Sequence, residues 1–131
     1  MEELFKLGIS ENGIKDMLEL NPNIKEITNE EVKEKIDLLK TINCSDREIK
    51  NIISSNSLYL DKTKTECLKL FKYLLDLGFN TLNILFDSNP YILNLEPFEI
   101  ENYINAKKEE GYSLEDIIDT LDSEPYLFNE M

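Results

Sequence analysis

The stretch Leu77-Gly78-Phe79-Asn80-Thr81-Leu82-Asn83-Ile84-Leu85-Phe86-Asp87-Ser88-Asn89-Pro90-Tyr91-Ile92-Leu93 decides how the chain is read. A glycine, a large apolar residue and a small polar residue open it. A short apolar-periodic run follows, and Pro90 with two further apolar residues closes it. Working outward, the same order recurs. The glycine position is held by Gly8, Asn43, Gly78 and Gly111, at intervals of 35, 35 and 33 residues. A fixed period of this size is the mark of a stacked repeat, in which one helix pair cannot bury its apolar face alone.

Each later position in the unit has a physical role. Ile9, Cys44, Phe79 and Tyr112 follow the glycine position and can pack. Ser10, Ser45, Asn80 and Ser113 come next, and all are residue types that cap a helix N-terminus. Counting back from Pro22, Ser57, Pro90 and Pro125 aligns the triplets Ile14/Met17/Leu18, Ile49/Ile52/Ile53, Leu82/Leu85/Phe86 and Ile117/Thr120/Leu121. Their i, i+3, i+4 spacing predicts one apolar stripe on a first helix. The third unit is two residues shorter between cap and stripe, so its first turn should be trimmed. Proline then stops the helix. Ile24, Tyr59, Ile92 and Leu127 align after it, followed by Lys25, Leu60, Leu93 and Phe128, which predicts a short turn or 3₁₀ turn pinned by apolar side chains.

A second helix follows in each unit. Val32/Ile36/Leu39, Cys67/Phe71/Leu74 and Ile100/Ile104/Lys107 align at i, i+4, i+7. Its start is marked by the capping-box patterns Thr28-x-x-Glu31 and Thr63-x-x-Glu66 and by Pro97, while Ser45-x-x-Glu48 marks a first helix. No alternating β-branched run bounded by hairpin turns is present. The expected fold is therefore all-α, an α-solenoid of about four stacked helix–turn–helix repeats. It forms one domain over residues 1–131, with units at 1–7 (partial), 8–42, 43–77, 78–110 and 111–131 (partial).

Short motifs carry a family resemblance. Leu77-Gly78-Phe79-Asn80 with Pro90-Tyr91-Ile92-Leu93, and Gly111-Tyr112-Ser113 with Pro125-Tyr126-Leu127-Phe128, resemble the repeat of the mTERF family. That family comprises the mitochondrial and plastid transcription termination factors and their relatives. Leu7-Gly8-Ile9-Ser10 to Pro22-Asn23-Ile24 is a fair copy; the second unit has Asn43 and Ser57 in place of glycine and proline. The glycine-led helix starts at Gly78 and Gly111 are also similar to ubiquitin-associated domains, but the regular proline and the long second helix fit the mTERF pattern better. The mTERF resemblance implies a helical half-superhelix that binds nucleic acid along a basic groove and has no catalytic activity.

Charge cuts against that implication. The chain has 27 acidic and 14 basic residues, one of them arginine, for a net charge of −13. Residues 77–131 hold twelve acids against Lys107 and Lys108, whereas residues 41–76 hold six bases and five acids. Phosphate binding draws most of its non-specific affinity from Lys and Arg, so an acidic chain is repelled unless its bases share one surface. The candidates for such a surface are Arg47, Lys50, Lys62, Lys69 and Lys72. Lys62, Lys69 and Lys72 stand at i, i+7, i+10, which would place them on one helix face. A solvated face with Asp46–Lys50 as an ordinary i, i+4 pair is the plainer reading.

Other residue types narrow the function further. There is no histidine, which removes the commonest general base and transition-metal ligand. No phosphate loop, nucleophile elbow, metal-ligand cluster or calcium loop occurs. No catalytic residue, metal or cofactor is therefore assigned, and the chain is read as a non-enzyme. Cys44 and Cys67 fall on packing positions and read as reduced, buried thiols of a cytoplasmic protein. The N-terminus resembles neither a secretory signal nor a transit peptide, and no stretch is apolar enough to span a membrane. Tyr59, Tyr91 and Tyr112 sit at or beside packing positions, which points to the core rather than to base stacking.

The expected function is a non-catalytic interaction module that binds another protein, one of basic character, through an acidic surface including Glu115 and Asp119. The alternative is a divergent mTERF-like DNA- or RNA-binding protein acting in transcription or RNA metabolism. Tyr126, Leu127 and Phe128 either fold back on the last helix or are covered by another chain, a homodimer through the C-terminal end being one such arrangement.

Overall fold

Each glycine position bends the backbone in the way the repeat requires. Gly8, Gly78 and Gly111 have φ of 90°, 113° and 103°, and Asn43 does the same work at 69°. These are left-handed values that glycine adopts freely and asparagine tolerates. The amide of the next residue then donates to the carbonyl five positions back: Ile9 to Leu4, Cys44 to Leu39, Phe79 to Leu74 and Tyr112 to Lys107. Carbonyls left open at the helix end are satisfied this way, and the chain is turned towards a new helix.

The computed structural model describes residues 1–131 and contains helices and connecting turns only. The helices are α1 (Glu2–Lys6), α2 (Glu11–Leu20), α3 (Asn29–Thr41), α4 (Asp46–Ser55), α5 (Lys64–Leu77), α6 (Leu82–Ser88), α7 (Pro97–Glu109) and α8 (Leu114–Ser123). Four 3₁₀ turns, Pro22–Glu26, Ser57–Asp61, Pro90–Asn94 and Pro125–Glu130, follow α2, α4, α6 and α8. The fold is an all-α solenoid of stacked helix–turn–helix repeats.

Caps explain where the helices start. The side chains of Ser10, Thr28, Ser45, Thr63 and Ser113 accept from the amides of Gly13, Glu31, Glu48, Glu66 and Asp116. Ser45–Glu48 and Thr63–Glu66 close reciprocally, because each glutamate also accepts from the cap amide. At Thr28 only the threonine half of the box forms. Asn80 is a correction: α6 starts at Leu82 behind Thr81, with no side-chain cap. The two missing residues remove the first turn, leaving α6 with 7 residues where α2 has 10.

Packing makes three rows. The first helices α2, α4 and α6 lie side by side, the second helices α1, α3, α5 and α7 form another row, and the four 3₁₀ turns form the third. One cluster of 32 buried apolar residues runs through all of them, so the stack has a single core. The predicted stripes supply it, with Ile49, Ile52, Ile53, Leu39, Leu74, Phe86, Ile92 and Ile100 fully buried. Phe71 meets Phe86, and Phe79 meets Phe128 of the following unit, with ring centroids 5.6 and 6.0 Å apart. Thr120 and Lys107, the polar members of the aligned triplets, stay exposed and half-buried respectively.

A polar ladder fixes the register of the turns. The residue before the proline position is Asn21, Asn56 and Asn89 in successive units, and all three are buried. Asn21 Nδ2 donates to the Ser57 carbonyl at 3.1 Å, Asn56 Nδ2 to the Pro90 carbonyl at 2.9 Å, and Asn89 Nδ2 to the Pro125 carbonyl at 2.9 Å. Each asparagine thus reaches the proline position of the next unit. Asn56 also exchanges hydrogen bonds with Asn94, and Asn89 donates to Asn129. Where Ser57 replaces proline, its hydroxyl donates to the Met17 carbonyl at 3.0 Å. Buried polar groups satisfied in this way fix one arrangement, since any slip would strand them.

Candidate interaction surfaces

The five candidate bases do not form one stripe. Arg47 and Lys50 stand on α4, in the row of first helices, whereas Lys69 and Lys72 stand on α5, in the row of second helices. Lys62 is a correction. It lies in the extended link ahead of α5, which Thr63 caps, so it does not continue the Lys69–Lys72 face. Arg47 Nη2 donates to Asp87 Oδ2 of α6 at 3.1 Å, and Asn51 Nδ2 donates to the same carboxylate at 2.8 Å. Lys72 pairs with Asp76 at 2.8 Å. Lys62 and Lys69 line a cleft of about 280 Å³ between α5 and the start of α7, but Glu66 and Glu96 line it too. Glu66 itself is held below the usual carboxylate range by accepting the Thr63 amide. Lys50 has its amine beside Gly8.

The acidic residues are more open. Glu115 and Asp119 are exposed on α8, as are Asp116 and Asp122. Tyr126 is exposed after the same helix, and the negative charge of Glu124, whose carboxylate also accepts its hydroxyl, pushes the phenol pKa up. Leu127 is half-buried. Phe128 is fully buried against Phe79 and cannot serve as a contact residue, which corrects the expectation for that position. Of the two arrangements open to the last turn, Phe128 takes the one that folds back.

The tyrosines divide in an unexpected way. Tyr59 is fully buried and donates its hydroxyl to the Lys35 carbonyl at 2.7 Å. Tyr91 and Tyr112 are exposed instead, at 40% and 56%. Tyr91 follows the proline position directly, one place before the residue that points into the core. Tyr112 aligns with Phe79, but Phe79 is covered by Phe128 of the next unit and Tyr112 meets no such ring. It lines instead an open groove with Tyr103, Ile117, Leu121 and Leu127, where the Lys107 amine sits 5.5 Å from the Tyr103 ring centre.

Nothing reactive is assembled in the interior. Cys44 and Cys67 are free and buried, and burial pushes their thiols up to about 12 and about 11. No group of three or more Cys, Asp or Glu side chains is placed to hold a metal ion. No helix is long and apolar enough to cross a membrane.

A repeat period, a left-handed residue at every glycine position and a 3₁₀ turn at every proline position are thus all present in one chain. The family model described as mTERF matches residues 1–118. The chain belongs to the mTERF family. No curated protein and no solved structure matches it. The match covers this mTERF chain from α1 into α8, through the whole asparagine ladder except the acceptors Pro125 and Asn129. What sequence reasoning missed in it was Asp87, the common acceptor of Arg47 and Asn51, and the outward-facing position after each proline. The repeat alignment held the signal for the second, because Asn23, Leu58, Tyr91 and Tyr126 occupy one column.

Proposed function

We propose that this mTERF-family chain is a non-catalytic binding module whose ligand is another protein. The observation that carries the reading is the distribution of charge. Arg47 and Lys72 are ion-paired with Asp87 and Asp76, and Lys62 and Lys69 share their cleft with Glu66 and Glu96, while Glu115, Asp116, Asp119 and Asp122 stand open on α8. Such a surface attracts basic proteins and repels phosphodiesters. A cytoplasmic, reducing site of action suits the two unpaired thiols.

Family membership favours a second reading, a nucleic-acid binder using Lys50, Lys62 and Lys69, the candidate bases without an ion-pair partner. One experiment separates the two. Purified chain is titrated with duplex DNA and with single-stranded RNA at low ionic strength, and in parallel used to capture partners from cell extract with and without nuclease. The protein reading expects no mobility shift and a stoichiometric protein that survives nuclease. A salt-sensitive shift lost in Lys62→Glu/Lys69→Glu, with nothing retained after nuclease, would replace it with the nucleic-acid reading.

A further inference from the structure

We infer that the exposed ridge formed by Leu58, Tyr91 and Tyr126 docks a proline-rich segment carrying Arg or Lys from a partner protein; this deepens the protein-binding reading and rests on it. The three side chains hold one position, the residue after the proline position, in three consecutive 3₁₀ turns. They are 37%, 40% and 61% exposed. Scattered exposed apolar residues are ordinary, but these recur at the repeat period and so line up. The turns are neighbours in the stack, and Asn56 and Asn89 pin each to the next through the Pro90 and Pro125 carbonyls. The ridge is therefore presented by rigid backbone.

Spacing and charge select the occupant. Packed helical units stand about 8–10 Å apart. A polyproline II strand advances about 3.1 Å per residue, so every third residue returns to the same face after about 9 Å. One proline of every triplet can then meet one ridge side chain in each unit. Aromatic platforms are the surfaces that take such strands, whose stiffness lowers the entropy lost on binding. The third turn and its flanks, Ser88–Leu95, carry no charge at all. Around Tyr126 the charged groups are acidic, Glu124 against its hydroxyl and Glu130 in the same turn, while Asp61 and Lys62 offset each other at the end of the second turn. Phosphates are repelled there, whereas Arg or Lys flanking a proline core is drawn in.

The test uses the full chain and a synthetic peptide of Pro-Pro-Arg triplets, followed by calorimetry and by amide chemical-shift mapping. A Gly-Ser-Arg peptide of equal length and charge serves as control, and single-stranded RNA, added without peptide, as the polyanion probe. The expected result is binding of the proline peptide alone, with shifts centred on the third and fourth turns. Tyr91→Ala/Tyr126→Ala should weaken it by about tenfold or more, and Tyr91→Phe/Tyr126→Phe should retain it, with the helical circular dichroism unchanged in both. Equal binding of the control peptide, amide shifts at the same residues when RNA is added without peptide, or unchanged affinity in the alanine pair overturns the proposal. A nuclease-resistant protein captured equally well by the alanine pair would sink the ridge while leaving the protein reading standing. Recovery of nucleic acid alone would sink both.

Discussion

Replacing Asn56 by alanine should destabilise the fold by about 3 kcal/mol, more than any exposed substitution of similar size. The side chain is 4% exposed and makes three hydrogen bonds. Nδ2 donates to the Pro90 carbonyl at 2.9 Å and to Asn94 Oδ1 at 3.0 Å, and Oδ1 accepts from Asn94 Nδ2 at 3.2 Å. A neutral hydrogen bond contributes about 0.5–1.5 kcal/mol net, and a buried acceptor left unpaired costs about 1–3 kcal/mol. Asn94 and Pro90 are only half-buried, so water can satisfy part of what is lost and hold the total near the middle of the range. In a domain of this size 1 kcal/mol moves Tm by roughly 4 °C, so the expected drop is about 12 °C. Thermal and urea unfolding followed by helical circular dichroism measure it. Asn23→Ala is the control, an exposed asparagine in the first turn whose backbone amide alone is engaged; it should shift Tm by less than about 2 °C. A double-mutant cycle between Asn56 and Asn94 should show a coupling of about 1 kcal/mol. Equal effects of Asn56→Ala and Asn23→Ala, or no coupling, would mean that apolar burial alone sets the register and that the ladder is incidental.

Three further outcomes follow from other parts of the structure. Gly78→Val should cost about 2 kcal/mol or more through backbone strain alone, because φ is 113° and an added Cβ would meet nothing within 4 Å; unchanged thermal stability would contradict the register of the repeat. Stability should fall as pH rises from the ordinary thiol range towards about 12, because the unfolded chain loses thiol protons that Cys44, at about 12, and Cys67, at about 11, retain when folded; denaturant titrations in which Cys44→Ala/Cys67→Ala leaves that alkaline slope intact would refute the assignment. Added salt should raise Tm, since a net charge of −13 with open carboxylates on α8 repels itself; a Tm that falls with salt would show that the surface ion pairs outweigh this repulsion.

Most of the architecture could be read in advance because the repeat states it several times over. A left-handed turn, a cap, a stripe and a proline stop each follow from local chemistry, and the period aligns imperfect copies with good ones. Asn43 and Ser57 show why imperfect copies still fit. Asparagine is the other residue that tolerates a left-handed φ, and serine in proline's place gains a hydrogen bond to the Met17 carbonyl. The surface was less legible, for reasons of the same kind. Which way Tyr91 or Tyr112 points depends on whether a neighbouring unit covers it, and local periodicity does not carry that. Whether Arg47 is free depends on Asp87, 40 residues away. Lys62 looked like the first member of a helical face by spacing, although the Thr63-x-x-Glu66 capping box already placed the helix start after it. The asparagine ladder was written in plain view at Asn21, Asn56 and Asn89, but its meaning lies between units.

The 3₁₀ turn therefore divides two tasks between adjacent residues. The residue before the proline position is buried and bonds to the next unit, so it is constrained by three-dimensional register. The residue after it faces outward and makes no side-chain bond to a neighbouring unit; Tyr91 bonds through its backbone amide to Asn89 Oδ1, and the Tyr126 hydroxyl reaches only Glu124 of its own unit. Its side chain can vary from Asn23 to Leu58 to Tyr91 to Tyr126 with little consequence for the core. Binding specificity placed there would cost the fold almost nothing, which is the arrangement a repeat scaffold needs if one geometry is to present different surfaces. In this chain the freedom has been used in one direction, from a polar first turn to aromatic third and fourth turns. The fourth turn, flanked by Glu124 and carrying Glu130, is also the most anionic of the four, so the aromatic end of the ridge lies beside carboxylates. A polyanion gains nothing from that combination, and a basic, proline-stiffened chain gains from both halves of it.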